Sequence, residues 1–199
     1  MARYLALEGG DACGKSTQAR RLAAAIGAVL TREPGGTTIG GLVRGVLLDP
    51  AHDAMVDRAE ALLYAADRAQ HMAEVVEPAL AAGRHVVSDR SALSSVAYQG
   101  YGRGLGPEAV WRVNDWAIGG RWPDIVVLLD VDPSVMTTRL QRAPDRLEQA
   151  GDGFHERVRN GYLAMAAADP DPNRWIVIDG SRDEEKVAAA VLAAVEERS

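Results

Sequence analysis

The amino-acid sequence predicts an α/β fold, an open five-stranded parallel sheet with helices on both faces. Three observations predict it. Short apolar runs recur five times along the chain. Stretches of helical periodicity separate them, the pattern of strand–helix–strand units with right-handed crossovers. A glycine-rich loop, Gly9-Gly10-Asp11-Ala12-Cys13-Gly14-Lys15-Ser16, joins the first run to the first helical stretch and fits G-x-x-x-x-G-K-[ST].

Arg3 to Glu8 reads as a short buried strand, and Thr17 to Ile26 as a helix stopped by Gly27. Ala28 to Thr31 is the second strand. It runs into Arg32-Glu33-Pro34-Gly35-Gly36-Thr37, a turn whose Arg32 and Glu33 sit where open α/β sheets place ligands. Thr37 can cap a helix from Ile39 to Leu48 that carries Arg44 and stops at Asp49-Pro50. Val56 to Leu80 is one long helical pattern in which Leu62, Leu63, Ala66, Ala69, Val76 and Leu80 are expected to share an apolar face. Within it, spacing alone favours a solvated reading of Asp67 and Arg68.

His85 to Ser88 is the third strand, ending in Asp89-Arg90. An acid at that position, downstream of a phosphate loop, is where a magnesium-binding carboxylate belongs, and an adjacent arginine can clamp a phosphate. The alternative is that both only cap the helix beginning at Ser91. That helix carries Ser94, Ser95, Tyr98 and Gln99 before glycines end it. Pro107 to Ile118 is a helix bearing Trp111 and Trp116, residue types more often used in packing or subunit contacts than as ligand platforms. Pro123 to Asp130 is the most apolar run and the fourth strand, and Pro133 opens a helix holding Arg139. The polar segment of about residues 141–153, with Arg142 and Arg146, is either a lid or a plain connection. A helix from Phe154 to Ala168, a strand from Trp175 to Asp179 and a terminal helix from Glu184 to Arg198 complete the chain.

The loop carries the chemistry. Glycines let successive backbone N–H groups point into one concavity, and the helix that follows aims its positive end there. Lys15 brings a point charge to outer phosphates, and the Ser16 hydroxyl can ligate magnesium. Lys15 and Lys186 are the only lysines among 22 basic residues.

Bulk properties exclude several classes. The 199 residues suit a single domain spanning 1–199, and 47% apolar with 25% charged residues is ordinary globular composition. A net charge of −6 without a basic run argues against a nucleic-acid surface. No apolar stretch approaches a membrane span, and the first residues read as a strand rather than a signal peptide. One cysteine forbids an intrachain disulfide, so a reducing cytoplasm is expected. His52, His71, His85 and His155 lack metal-ligand spacing and are expected to be surface or satisfied residues. No N-K-x-D motif supports a guanine-nucleotide switch. A small nucleotide kinase fits best, with a non-catalytic nucleotide-binding module as the rival class.

The motifs then carry a resemblance over nearly the whole chain. They are Glu8 through Thr17, Thr31 through Thr37, Leu62 through His71, and Asp89-Arg90 with Ser94 through Gly100. Pro123-Asp124, Leu129-Asp130-Val131 and Asp145-Arg146-Leu147-Glu148 follow in order. The chain resembles the bacterial thymidylate kinases. The resemblance implies a three-layer P-loop NTPase fold with a short lid, a homodimer, and magnesium-dependent transfer from ATP to dTMP; a related kinase for another nucleoside, monophosphate or small alcohol is the alternative.

It also implies roles by position. Gly9, Gly10, Asp11, Ala12, Cys13, Gly14, Lys15, Ser16 and Thr17 would hold ATP phosphates, with Arg139 near adenine. Ser16 and Asp89 would serve magnesium, directly or through water. Arg90 would bridge the two phosphates, and Glu33 and Arg44 would contact the acceptor phosphate or its magnesium shell. Tyr64 would stack on thymine, Arg68 would bond the base at O4, and Ser94, Ser95 and Gln99 would complete that set at the base edge. Tyr98 would pack beneath the sugar and disfavour a 2′-hydroxyl, and Asp11 would lie near the 3′-hydroxyl. Ala12 gives the loop no positive charge, so Arg142 and Arg146 are the expected lid cations. Ser91, Gly41 and Cys13 depart from the usual family residues.

Overall fold

The computed structural model describes residues 1–132, 134–135 and 145–198. Five parallel strands form one sheet: β1 (Tyr4–Glu8), β2 (Val29–Arg32), β3 (Val86–Asp89), β4 (Ile125–Asp130) and β5 (Trp175–Asp179), in the order β2-β3-β1-β4-β5. The register pairs Leu5 with Val87 on one side and Ile125 on the other. Strands β1 and β4 are buried on both faces, which is why they read as continuous apolar runs rather than alternating ones. The fold class expected from the sequence is the one found.

One face of the sheet is covered by α1 (Lys15–Ile26) and the terminal helix α8 (Glu184–Glu196). There Leu5, Leu7 and Val127 pack with Ala19, Leu22, Val187 and Val191. On the other face Val126 and Leu128 pack with Leu93, Tyr98, Phe154, Val158 and Tyr162. The last three belong to α7 (Asp152–Ala168). Each such Leu or Val contributes roughly 2 kcal/mol by leaving water. Helix α2 (Thr38–Leu48) begins where expected, with Thr37 Oγ1 accepting from Gly40 N–H at 2.9 Å.

Two helical stretches differ from the expectation. The long helix is α3 (Asp57–His71), a wide π turn (Met72–Val76) and α4 (Glu77–Ala81). Pro78 has no N–H to give to the preceding turn, and the π turn absorbs the missing bond, with Glu77 N–H reaching Met72 O. The expected apolar face also divides. Leu62, Ala66 and Ala69 are exposed, whereas Val76 is buried. Facing inward instead are Glu60, Tyr64, Asp67, Arg68 and His71, so the solvated reading of Asp67 and Arg68 is corrected. The second difference follows Asp89. A short helix, α5 (Ala92–Ser95), opens directly into a second π turn, Val96–Gly102, ahead of α6 (Pro107–Ala117).

Among the described residues, no helix is long and apolar enough to cross a membrane.

Candidate active site

The carboxyl ends of three adjacent strands deliver Arg32, Glu8 and Asp89 to one edge of the sheet, the edge where parallel sheets gather ligands. The glycine-rich loop wraps over it. Gly9 has φ +138°, and a Cβ there would meet Leu129 O at 2.6 Å, so only glycine fits. Gly14, at φ 97°, begins α1. Ala12 (φ 56°) and Arg90 (φ 74°) also hold left-handed backbone, an unfavourable choice for side-chain residues that clusters at functional sites. Lys15 folds back over the loop: its Nζ donates to Gly10 O and lies 3.6 Å from Cys13 Sγ. Cys13 is buried and free, a small filler beneath the loop.

Arg90 is the centre of a tight set. Its Nη2 donates to Asp11 Oδ1 at 2.5 Å and to Tyr98 OH at 2.9 Å, and its guanidinium lies 4.8 Å from the Tyr98 ring centre. Tyr98 OH in turn donates to Asp11 Oδ2 at 3.0 Å. Burial pushes the Asp11 carboxyl up, but Arg90 and Lys15 outweigh it and hold it below the usual carboxylate range. Behind this set lies Glu8, fully buried at the end of an apolar strand. It accepts from Ser91 N–H and Oγ, from Ser94 Oγ and from Tyr162 OH. Burial dominates and raises its pKa despite these donors. The motif departure Ser91 thus caps α5 and anchors to Glu8.

A second wall is ionic. Glu33 takes Arg68 Nε on Oε2 and His71 Nδ1 on Oε1, both at 2.8 Å, and His71 Nε2 meets Thr31 Oγ1 at 2.6 Å. His71 is therefore a satisfied residue, as expected. Arg68 Nη1 also donates to Ser95 Oγ at 2.6 Å and to Asn114 Oδ1 at 3.3 Å. Burial raises the Glu33 pKa, yet His71 and Arg68 bring it below its ordinary value. Asp67 Oδ1 accepts from Gly35 N–H at 2.9 Å, fixing the turn after β2. A third cluster surrounds Glu60, which accepts from Gln99 Nε2 at 2.9 Å and Arg103 Nη2 at 3.0 Å and pairs with Arg146 Nη2 at 2.6 Å.

Together these walls enclose a cavity of about 220 Å³. It brings the expected residues Asp11, Ala12, Lys15, Ser16, Glu33, Arg44, Tyr64, Arg68, Asp89, Arg90, Ser94, Tyr98 and Gln99 onto one surface. Ser16 Oγ donates to Asp89 Oδ2. Ser95 is not on that surface; it stands behind Arg68 as a support. Gly9, Gly10, Cys13, Gly14 and Thr17 lie in the loop and first turn without lining the cavity.

Arg146 departs from the expectation of a cation facing the phosphates. It is 9% exposed and does not line the cavity. Its Nε donates to Leu47 O at 2.9 Å and its Nη2 is drawn to the buried Glu60, because a buried carboxylate needs a counter-charge. Its neighbours Asp145, Leu147 and Glu148 line the cavity instead. Arg139 and Arg142 lie outside the described residues.

Sequence reasoning assigned no role to Glu8, Glu60, Asn114 and Tyr162, whereas Arg32, placed by sequence where open α/β sheets gather ligands, does line the cavity. Spacing held a usable signal for one. Glu60, Tyr64 and Arg68 recur at intervals of four, the period of one helix face, and that is the inward face.

The cavity joins a phosphate-binding loop and its following helix to four arginines, Arg32, Arg44, Arg68 and Arg90, and two phenols, Tyr64 and Tyr98. Such an arrangement can hold two phosphate groups near each other and an aromatic ring beside them. Comparison with known proteins agrees in kind. A family model described as Thymidylate kinase matches residues 7–191. The chain is similar to the thymidylate kinase of Bifidobacterium longum strain NCC 2705, 46% identical over 98% of this chain and 97% of the relative. It is likewise similar to the thymidylate kinase of Pelotomaculum thermopropionicum (46%, 98% and 93%) and that of Cutibacterium acnes (45%, 94% and 93%).

Proposed function

The chain belongs to the thymidylate kinase family, and its reaction is therefore phosphoryl transfer from ATP to dTMP; we propose that the cavity over β1 to β3 is where donor and acceptor phosphates meet. The observation that carries this is the junction itself: Lys15 and Ser16 of the loop share one cavity with Tyr64, Arg68, Tyr98 and Gln99.

The division of labour follows from the chemistry of each group. The loop amides and Lys15 hold the ATP phosphates, and Lys15 leaves Gly10 O to do so. Arg90 Nη2 donates to Asp11 and Tyr98 and its Nη1 to Gly9 O and Ser94 Oγ, so Arg90 is positioned between the two phosphates and exchanges some of these bonds for them. Arg44 and Arg32 take the acceptor phosphate, since neither has an ion-pair partner among the described residues. Burial and the neighbouring Arg32 charge lower the Arg44 pKa, as unneutralised cations require, and an incoming dianion reverses that penalty. Tyr64 packs on the base, Arg68 and Gln99 meet its edge, and Tyr98 with Asp11 faces the sugar. Phosphoryl transfer needs this positioning and charge neutralisation more than a strong base.

Magnesium fits the donor set. Ser16 and Asp89 offer one hydroxyl and one carboxylate in direct contact, and magnesium characteristically takes one or two such protein oxygens with phosphate and water completing its octahedron. When bound, the ion would neutralise charge building on the phosphoryl oxygens. Ser16 and Asp89 would hold it, directly or through water.

The chain works as one domain, with about residues 141–153 as a short lid over the phosphates. A second copy of the chain covers the exposed Leu62, Ala66, Ala69 and Trp116, a patch in which Trp116 is 86% exposed. The single free Cys13 supports a reducing, cytoplasmic setting. The decisive assay couples ADP release to dTMP, dUMP, dCMP and thymidine in turn. Release with dTMP no greater than with water alone rules the reading out.

A further inference from the structure

We propose that Glu60 is a specificity-determining positioning residue: it holds the Gln99 amide in one orientation, so that the cavity presents a carbonyl acceptor beside the donors of Arg68. This rests on reading the cavity as the dTMP site.

Glu60 is fully buried and touches no part of the cavity. Its Oε1 receives Gln99 Nε2 at 2.9 Å, and its Oε2 receives Arg103 Nη2 at 3.0 Å and faces Arg146 Nη2 at 2.6 Å. Burial pushes the Glu60 pKa up, but the bonds from Arg103, Gln99 and Arg146 outweigh it and keep the group ionised at neutral pH. An ionised carboxylate only accepts hydrogen bonds. The Gln99 amide can therefore meet it only through its NH2; the flipped amide would set oxygen against oxygen. Gln99 itself lines the cavity. With its nitrogen held from behind, the atom left for the cavity is Oε1.

Arg68 is polarised in the same manner from the other side. A guanidinium only donates, and Glu33, Ser95 and Asn114 hold it in place. A base entering the cavity thus meets a fixed donor and a fixed acceptor. Thymine and uracil offer the complement, an O4 acceptor next to an N3–H donor. Cytosine offers the reverse at both positions, an amino donor next to an unprotonated N3. Cytosine is refused because neither reader can turn over: a free glutamine amide would flip to suit either base, and Glu60 removes that freedom.

The test measures kcat/KM for dTMP, dUMP and dCMP in wild type, Glu60→Gln and Arg103→Gln. Glu60→Gln replaces the acceptor-only group with an amide that can meet Gln99 either way round. The dCMP-to-dTMP ratio is expected to rise on the order of ten-fold, the scale of one misread base contact. Arg103→Gln loses one ion pair, but Arg146 still faces Glu60 and Gln99 still donates to it, so stability falls and the ratio holds. A folded Glu60→Gln enzyme with its ratio within two-fold of wild type overturns the inference. If Glu60→Gln does not fold, the wild-type protein decides. With 15N-labelled glutamine, the Gln99 NH2 should exchange slowly with solvent both without and with dTMP, and an NH2 protected only by dTMP overturns the inference. A wild-type enzyme that releases no ADP with dTMP defeats the functional reading instead, which keeps the two failures apart.

Discussion

Ser16 and Asp89 share a single hydrogen bond, Ser16 Oγ donating to Asp89 Oδ2 at 2.5 Å, which ties the first turn of α1 to the last residue of β3. In the proposed site the bond would set the spacing of the two oxygens offered to magnesium. Asp89→Asn keeps the shape and the bond but removes the charge. It is expected to lower kcat by about two orders of magnitude and to raise the magnesium concentration needed for half-maximal rate. A magnesium titration of ADP release checks this, and an unmoved midpoint takes Asp89 out of the metal's shell.

Arg90 is expected to be the most sensitive side chain. Arg90→Ala should reduce kcat by about 10³-fold, the scale of a cation on a moving phosphoryl group. Arg90→Lys should restore little, because an ammonium cannot contact Asp11, Tyr98 and two phosphates through a planar fork. Single-turnover rates separate this from a binding effect: the loss must lie in the chemical step.

Arg146 should behave as a structural residue. Its removal leaves Glu60 short of a partner, so Arg146→Ala is expected to cost about 3 kcal/mol of stability with kcat within ten-fold. Arg142→Ala is expected to do the opposite, because Ala12 leaves the loop with Lys15 but no arginine, and the lid is then expected to supply one. Urea unfolding and turnover measured on both variants distinguish the two; a stable but inactive Arg146→Ala would return that residue to the phosphates.

Acid stability has a defined sign. Glu33 and Glu60 are held below their ordinary range, so their contribution is whole above the unfolded value of about 4.3 and is lost as pH falls through the folded values. Glu8 runs the other way: its pKa is raised by burial, so its contribution is present at low pH and fades as pH rises through the folded value. Glu33→Gln should flatten the acid limb of a stability-against-pH curve, whereas Glu8→Gln should gain on wild type as pH rises above about 4.3. Denaturant midpoints across this range read both slopes, and parallel curves for all three proteins would contradict the assignment.

The exposed patch of Leu62, Ala66, Ala69 and Trp116 predicts self-association. Trp116→Glu should give a monomer by sedimentation at micromolar concentration without loss of helical content. A wild-type protein that sediments as a monomer removes the basis for the patch.

The fold was legible because buried parallel strands are apolar throughout, and Ile125 to Leu129 or Val86-Val87 cannot be read otherwise. The loop was legible because its glycines answer to backbone geometry. Helix α3 misled because its inward face is polar, with Tyr64 and Arg68 on the cavity and Glu60 and Asp67 buried beside it. Leu62, Ala66 and Ala69 point out, which inverts the rule that apolar stripes mark the core. Asn114 and Tyr162 were beyond reach for another reason. Each meets the site from a helix far along the chain, and nothing local in the sequence records which helix packs opposite Arg68 or Glu8.

The wide turn at Val96–Gly102 bears on how this chain can change over generations. Tyr98 and Gln99 both sit in it, and Arg103 N–H reaches back five residues to Tyr98 O. A lineage that dropped one residue here would relax to ordinary helical pitch and swing the later side chains of the turn by about 100°. Conservative substitutions can be absorbed at these positions, but insertions and deletions cannot. The length of the segment thus constrains the site as much as its chemistry does.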